Sequence, residues 1–309
     1  MRNSRYLPVF LKGIAMGAAD IVPGVSGGTI AFISGIYEEL IDTLKGIRPA
    51  LLGTLWRDGM PAFWRAANGS FLLSLLAGIA VSFVLLAHLI THLMEAWPLL
   101  LWSFFFGLVL ASGLHIGRLL TLRCPLSLLM FMLGLVAAAV ITLLPPSHAV
   151  PTLPMVFGAG AVAICAMILP GISGSFILLL LGLYGHVIGA IKALDVSVIG
   201  VFLLGCVTGL LSFVHLLSWL LHHYRNMTLA MLTGFLLGSL NALWPWKLTT
   251  GLIESGSKSV PLQDNVLPWT YTAATGQPAM LLGCLLLLGA GVAIVLLLER
   301  LAGKASPGG

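Results

Sequence analysis

Apolar residues run through this 309-residue chain in long blocks, without the strict alternation of a half-buried strand or the one-sided periodicity of a surface helix. Six blocks reach the ~20 residues that a helix needs to cross a hydrocarbon core of ~30 Å. They cover residues 70–93, 97–117, 125–144, 197–222, 226–244 and 278–300. Two further apolar regions, 8–44 and 153–192, are broken near their middle by Pro-Gly followed by Ser and Gly. Each half of these is short for a full crossing, so both are expected to be re-entrant helical hairpins that enter and leave on one side. The pattern predicts an all-α polytopic membrane protein.

Composition agrees. With 15 Lys and Arg and 10 Asp and Glu, only 8% of the chain is charged, and the mean hydropathy is +1.07. A soluble domain of this size needs charge over most of its surface, at about a quarter of its residues, so that class is excluded. Gly, at 36 residues, fits close helix contacts and broken helices. The net charge of +5 would ordinarily raise nucleic acid as a partner, but sorting the cations along the chain gives another reading. If the N-terminus is cytoplasmic and both hairpins are re-entrant, the inner segments hold Arg2, Arg5, Lys12, Lys45, Arg48, Arg57, Arg65, Arg118, Arg123, Arg225, Arg300 and Lys304. Only Lys192, Lys247 and Lys258 fall outside. This is the positive-inside bias, with both termini cytoplasmic and no nucleic acid implied. Trp56, Trp64, Trp219 and Tyr224 are expected in the inner interfacial belt, and Trp97, Trp244, Trp246 and Trp269 in the outer one. Arg2 and Arg5 before an apolar run resemble a secretory signal, but Lys12 interrupts the run and a Gly-rich motif follows, so cleavage is not expected.

The two broken regions repeat one another. Pro23-Gly24-Val25-Ser26-Gly27-Gly28-Thr29-Ile30 aligns with Pro170-Gly171-Ile172-Ser173-Gly174-Ser175-Phe176-Ile177 at an offset of 147, which also matches Gly35, Tyr37 and Lys45 with Gly182, Tyr184 and Lys192. A second register, offset 127, pairs Gly78 with Gly205, His88 with His215, Gly107 with Gly234 and Ser112 with Ser239. The shift between registers corresponds to a longer first-half loop, 45–69. Each half, 1–152 and 153–309, is thus a hairpin plus three spans. An odd number of crossings would turn the second copy upside down, an inverted repeat of the kind that transporters use. The hairpin tips would then meet near the midplane.

Those tips carry the candidate chemistry. After the Pro-Gly break the second half-helix is expected to start near Ser26 or Ser173, leaving backbone N–H donors and the positive end of the helix dipole free for an anion. Gly27, Gly28 and Gly174 allow close backbone approach to a phosphate, and Ser26, Thr29, Ser173 and Ser175 add hydroxyls. Simple N-capping by the two serines is the alternative. Asp20, a carboxylate at membrane depth, is a proton-coupling candidate or a partner for backbone N–H groups; Met167 stands at the matching position. Glu38, Glu39 and Asp42 are expected to close the second half-helix, with Glu39 pairing to Lys12 or Arg118 or left in solvent. His88 and His92 share a helix face, but no third ligand is evident, so no metal is expected; His88 and His215 are secondary candidates for proton relay or phosphate contact. The cationic cluster His222, His223 and Arg225 could attract anionic lipid or simply fix topology. Cys124, Cys165, Cys206 and Cys284 lie far apart and read as packing residues. No cofactor is implied.

The stretch Gly13 to Leu40, GIAMGAADIVPGVSGGTIAFISGIYEEL, together with PGISGS in the second half, resembles the DUF368 family of bacterial membrane proteins along essentially the whole chain. The resemblance implies translocation of undecaprenyl phosphate, the carrier lipid of cell-envelope polymers, across the cytoplasmic membrane. The residues alone reach an inverted-repeat transporter with paired anion-binding hairpins. Two alternatives stand beside it. Membrane-embedded undecaprenyl pyrophosphate phosphatases also use inverted repeats and a PGxSRS motif, but Gly27 and Gly174 occupy the place of the arginine that such phosphoryl chemistry needs. A small-anion exporter could use similar hairpins.

Overall fold

The computed structural model describes residues 6–22, 25–48, 50–120, 124–147, 151–255 and 258–304. The first broken region becomes α1 (Tyr6–Ile21), α2 (Gly27–Ile33) and α3 (Tyr37–Gly46), and the second becomes α9 (Leu153–Ile168), α10 (Gly174–Leu180) and α11 (Tyr184–Ala193). Between them lie α4 (Ala50–Asp58), α5 (Met60–Ala66), α6 (Gly69–Ala96), α7 (Pro98–Leu119) and α8 (Pro125–Leu143). After α11 come α12 (Val196–His223), α13 (Arg225–Gly238) ending in a 3-10 turn (Ser239–Leu243), strands β1 (Lys247–Ser255) and β2 (Lys258–Asn265), α14 (Pro268–Thr275) and α15 (Leu281–Lys304). Five described helices, α6, α7, α8, α12 and α13 with its turn, are long and apolar enough to cross a membrane. In α15 the apolar stretch Leu281–Leu297 has 17 residues, the short end of the crossing range. Leu73, Val84 and Leu85 on α6, Leu204 on α12 and Leu282 on α15 remain exposed, as a lipid-facing surface requires.

Two expectations are corrected. The return half of each hairpin is two helices, not one. Gly35 (φ +74°) and Gly182 (φ +70°) are left-handed, and the N–H groups of Ile36 and Leu183 bond back to the Ala31 and Leu178 carbonyls, terminating α2 and α10 by the same Schellman turn. The α10–α11 bend is 108°. The 45–69 segment is mostly helical, as α4 and α5. The all-α polytopic architecture holds, with one small addition, the antiparallel pair β1–β2, in which Lys247 stands opposite Asn265; its 17 residues sit between apolar spans, where the hydropathy contrast hides it.

Glycine sets how the spans pack. A Cβ on Gly13 would strike the Leu75 carbonyl and one on Gly78 the Phe10 carbonyl, so α1 lies backbone to backbone along α6. Gly160 and Gly205 stand in the same way against the Phe202 and Phe157 carbonyls, joining α9 to α12. Gly134 and Gly234 join α8 to α13 against the Met231 and Phe131 carbonyls, and Gly107 and Gly291 join α7 to α15 against those of Leu288 and Phe104. Contacts this close replace the hydrophobic drive that lipid removes. Hairpin one begins beside the start of α6 and α3 comes back there, where the Asn68 side-chain amide donates to Thr43 Oγ1 at 3.0 Å. Hairpin two likewise returns to the start of α12, two residues after α11 ends.

Candidate functional site

The breaks of the two hairpins touch. Ser26, the N-cap of α2, accepts from Gly28 N at 3.1 Å, and its hydroxyl donates to the Met167 carbonyl at 2.9 Å. Thr29 Oγ1 accepts from Gly171 N at 2.8 Å, and Gly28 is pressed against the Met167 and Ile168 carbonyls. Gly171, at φ +92°, adopts a conformation that disfavours any side chain, and Ser239 and the Phe235 carbonyl fill the place a Cβ would take. Both the expected start of the half-helices and the meeting of the tips are therefore present.

The tips are not equivalent. In tip one, Ser26, Gly27, Gly28 and Thr29 are buried, and Gly27 N donates to Asp20 Oδ1 at 2.6 Å. The carboxylate occupies the anion position at the α2 N-terminus, and the next donor is taken by Ser26. In tip two, Ser173 is half-buried and Ser175 exposed; their hydroxyls bond each other at 2.7 Å and Ser173 makes no capping bond to α10. Met167, standing where the repeat would have a second carboxylate, packs its thioether against Gly174 instead.

The secondary candidates do not join this cluster. His88 and His92 are exposed on α6, and His215 Nδ1 bonds the Leu211 carbonyl of its own helix at 2.6 Å. Among the described residues no group of three or more His, Cys, Asp or Glu could hold a metal. Arg118 is exposed at the end of α7, Lys12 Nζ donates to the Ser34 carbonyl at 2.6 Å, and Glu39 accepts from Asn68 at 3.3 Å. Glu38 pairs bidentately with Arg225, Nη2 to Oε1 at 2.7 Å, so the basic cluster at the end of α12 is partly spent on an internal ion pair. Cys284 is buried and Cys165 packs near Gly209, while Cys124 is exposed and has no packing role.

Two features escaped the sequence reading. Buried Ser218 on α12 donates to Asp42 Oδ1 at 2.8 Å and accepts from Lys45 Nζ at 3.1 Å, with His222 Nε2 3.8 Å from Asp42. This network ties α3 to the far end of α12; a lone Ser beside Trp219 gave no sign of it. An open cleft of about 440 Å³, lined by Glu39, Asp42, Thr43, Gly46, Ala66 and Asn68, lies beside it, and its two carboxylates make it a poor host for an anion. The second feature is Lys247. Its ammonium donates to the Ala242 carbonyl at 2.6 Å and lies 4.5 Å over the Trp102 ring, and burial pushes it down to about 8. Trp244 and Trp246, just before it in the chain, pack edge to face with each other, with Trp246 only 8% exposed.

Residues 16–260 match the model of an undecaprenyl phosphate translocase-like family. The chain is 49% identical over 305 residues to a polyprenyl-phosphate transporter of Vibrio cholerae serotype O1, covering 98% of this chain and 99% of that one. It is 33% identical over 253 residues to a polyprenyl-phosphate transporter of Staphylococcus aureus, covering 76% and 85%. No solved structure matches the chain.

Proposed function

We propose, because the chain belongs to the undecaprenyl phosphate translocase-like family, that it moves polyprenyl phosphate across the bacterial cytoplasmic membrane with the headgroup held between the hairpin tips. It is a multi-pass transporter of a lipid carrier and not an enzyme. A phosphatase would need a cationic clamp where Gly27 and Gly174 stand, and those positions have no room for one. Asp20 fills the space at Gly27, and Met167 with the Ala163 carbonyl fills it at Gly174.

The carrying observation is the direct contact of the two tips, Ser26 to Met167 and Gly171 to Thr29. One hairpin supplies each side of it, so parting the two hairpins opens the site to either face in turn. The reading of 1–152 and 153–309 as inverted repeats is supported by the glycine crossings, which recur at the offsets read in the sequence: Gly78 on Phe10 and Gly205 on Phe157. It is also supported by α3, which starts and ends at the α6 end of hairpin one yet binds the last turns of α12, opposite the end where hairpin two enters. The basic loops make that first face cytoplasmic.

Tip two offers the open hydroxyls, Ser173 and Ser175, as the first donors to the phosphate. Tip one is closed by Asp20, whose carboxylate satisfies the donor a phosphate oxygen would use. Protonation of Asp20 removes that competitor, lets Gly27 N turn to the headgroup and so links phosphate entry to a proton. The test is reconstitution in liposomes with an outer-leaflet reporter of polyprenyl phosphate. Transport by the wild type should vary with pH and fall sharply in Ser173→Ala/Ser175→Ala. Full, pH-dependent activity of Asp20→Asn would remove the proton role, and absence of lipid movement by the wild type would remove the function.

A further inference from the structure

We propose that Lys247 binds the phosphomonoester headgroup on the hairpin-two side of the site, as the cation that meets the phosphate next to tip two; this rests on the reading that the chain carries polyprenyl phosphate. Lys247 opens β1, and its ammonium lies between Trp102 on α7 and the 3-10 turn after α13. The ammonium has three donors, one of which goes to the Ala242 carbonyl. Among the described residues no carboxylate pairs with it, and no opposite charge offsets its burial. A desolvated cation is ordinarily paired, and a helix-end carbonyl and an indole face supply only partial charge.

Its location gives the missing anion a source. Ala242 follows Ser239 by three residues, about 6 Å along a 3-10 turn, and the Ser239 side chain closes on Gly171 at the tip-two break. One turn of backbone therefore links the Lys247 hydrogen bond to the loop that presents Ser173 and Ser175. The Trp102 ring beneath the ammonium gives the position an aromatic wall, which suits the isoprene next to a phosphate and does not suit a hydrated small ion. A lysine that merely capped the turn would need neither the burial nor the missing carboxylate.

The experiment uses the full-length protein in lipid nanodiscs, titrated with farnesyl phosphate, farnesol and inorganic phosphate. Lys247→Gln should weaken farnesyl phosphate about tenfold or more, the worth of one charge-assisted hydrogen bond, and leave farnesol unchanged, while Lys247→Arg recovers most of the loss. As a check free of substitution, farnesyl phosphate should protect Lys247 of the wild type from amine acylation, read by mass spectrometry at that residue. A wild type that prefers farnesyl phosphate to farnesol beside an unaffected Lys247→Gln, or with no protection of Lys247, overturns this inference alone. Equal binding of farnesol and farnesyl phosphate by the wild type overturns the substrate reading with it. Inorganic phosphate binding as tightly as farnesyl phosphate overturns the lipid as the source of the anion.

Discussion

Ser26 and Ser173 occupy matching positions in sequence and differ in what they bond. Ser26 is 2% exposed, caps α2 and bridges to the other hairpin, whereas Ser173 makes no cap and shares its hydroxyl with Ser175. Removing a working N-cap costs about 1 kcal/mol, within a range of roughly 0.5–2, and loss of the Met167 bond adds to it. Ser26→Ala should therefore lower the thermal stability of the purified protein, while Ser173→Ala should change it by no more than about 0.5 kcal/mol and act on transport instead. Equal stability losses in melting curves would contradict the division of labour.

At the level of elements, the helix pairs depend on glycine only where backbones meet. Within α12, Gly205 faces the Phe157 carbonyl and Gly200 faces open space. Gly205→Leu must push α9 from α12, at or beyond the upper end of the roughly 1–3 kcal/mol that overpacking costs. Gly200→Leu should be tolerated, a contrast measurable as the yield of monodisperse protein after detergent extraction. The same contrast explains what was legible beforehand. Spans and hairpin breaks follow from hydropathy and spacing, which act locally. The split of each return helix depended on reading Gly35 and Gly182 as left-handed caps, a signal present but passed over. The Asp42–Ser218–Lys45 network and the Lys247 environment arise from residues about 175 positions apart or from a loop folding onto a span; no periodicity encodes them.

Across the whole molecule, hydrogen bonds among the described residues fasten hairpin one to the second half at the tip contact and at the α3–α12 network. If the cycle requires the halves to part on the α3 side, a clamp there should stop it. Cysteines at Asp42→Cys and Ser218→Cys, in a protein whose exposed Cys124 is replaced by Ser, should arrest lipid movement once bridged by a short thiol-reactive linker, with recovery when the linker is cleaved. Undiminished transport in the bridged protein would refute motion at that contact. The Glu38–Arg225 pair nearby is solvent-facing and contributes under about 1 kcal/mol of stability, so it aligns α3 without locking it.

The glycine seams also determine where the molecule can yield. Four helix couples, α1 with α6, α9 with α12, α8 with α13 and α7 with α15, touch through main chain, with no side chain between them to rotate out of the way. Each behaves mechanically as one stiff strut. Two of these couples, α8 with α13 and α7 with α15, join the first half to the second, so compliance falls to hairpin one, whose polar bonds to the second half lie at the tip and at α3. Motion of the hairpins against that braced frame is therefore steered by which of those two clasps lets go first.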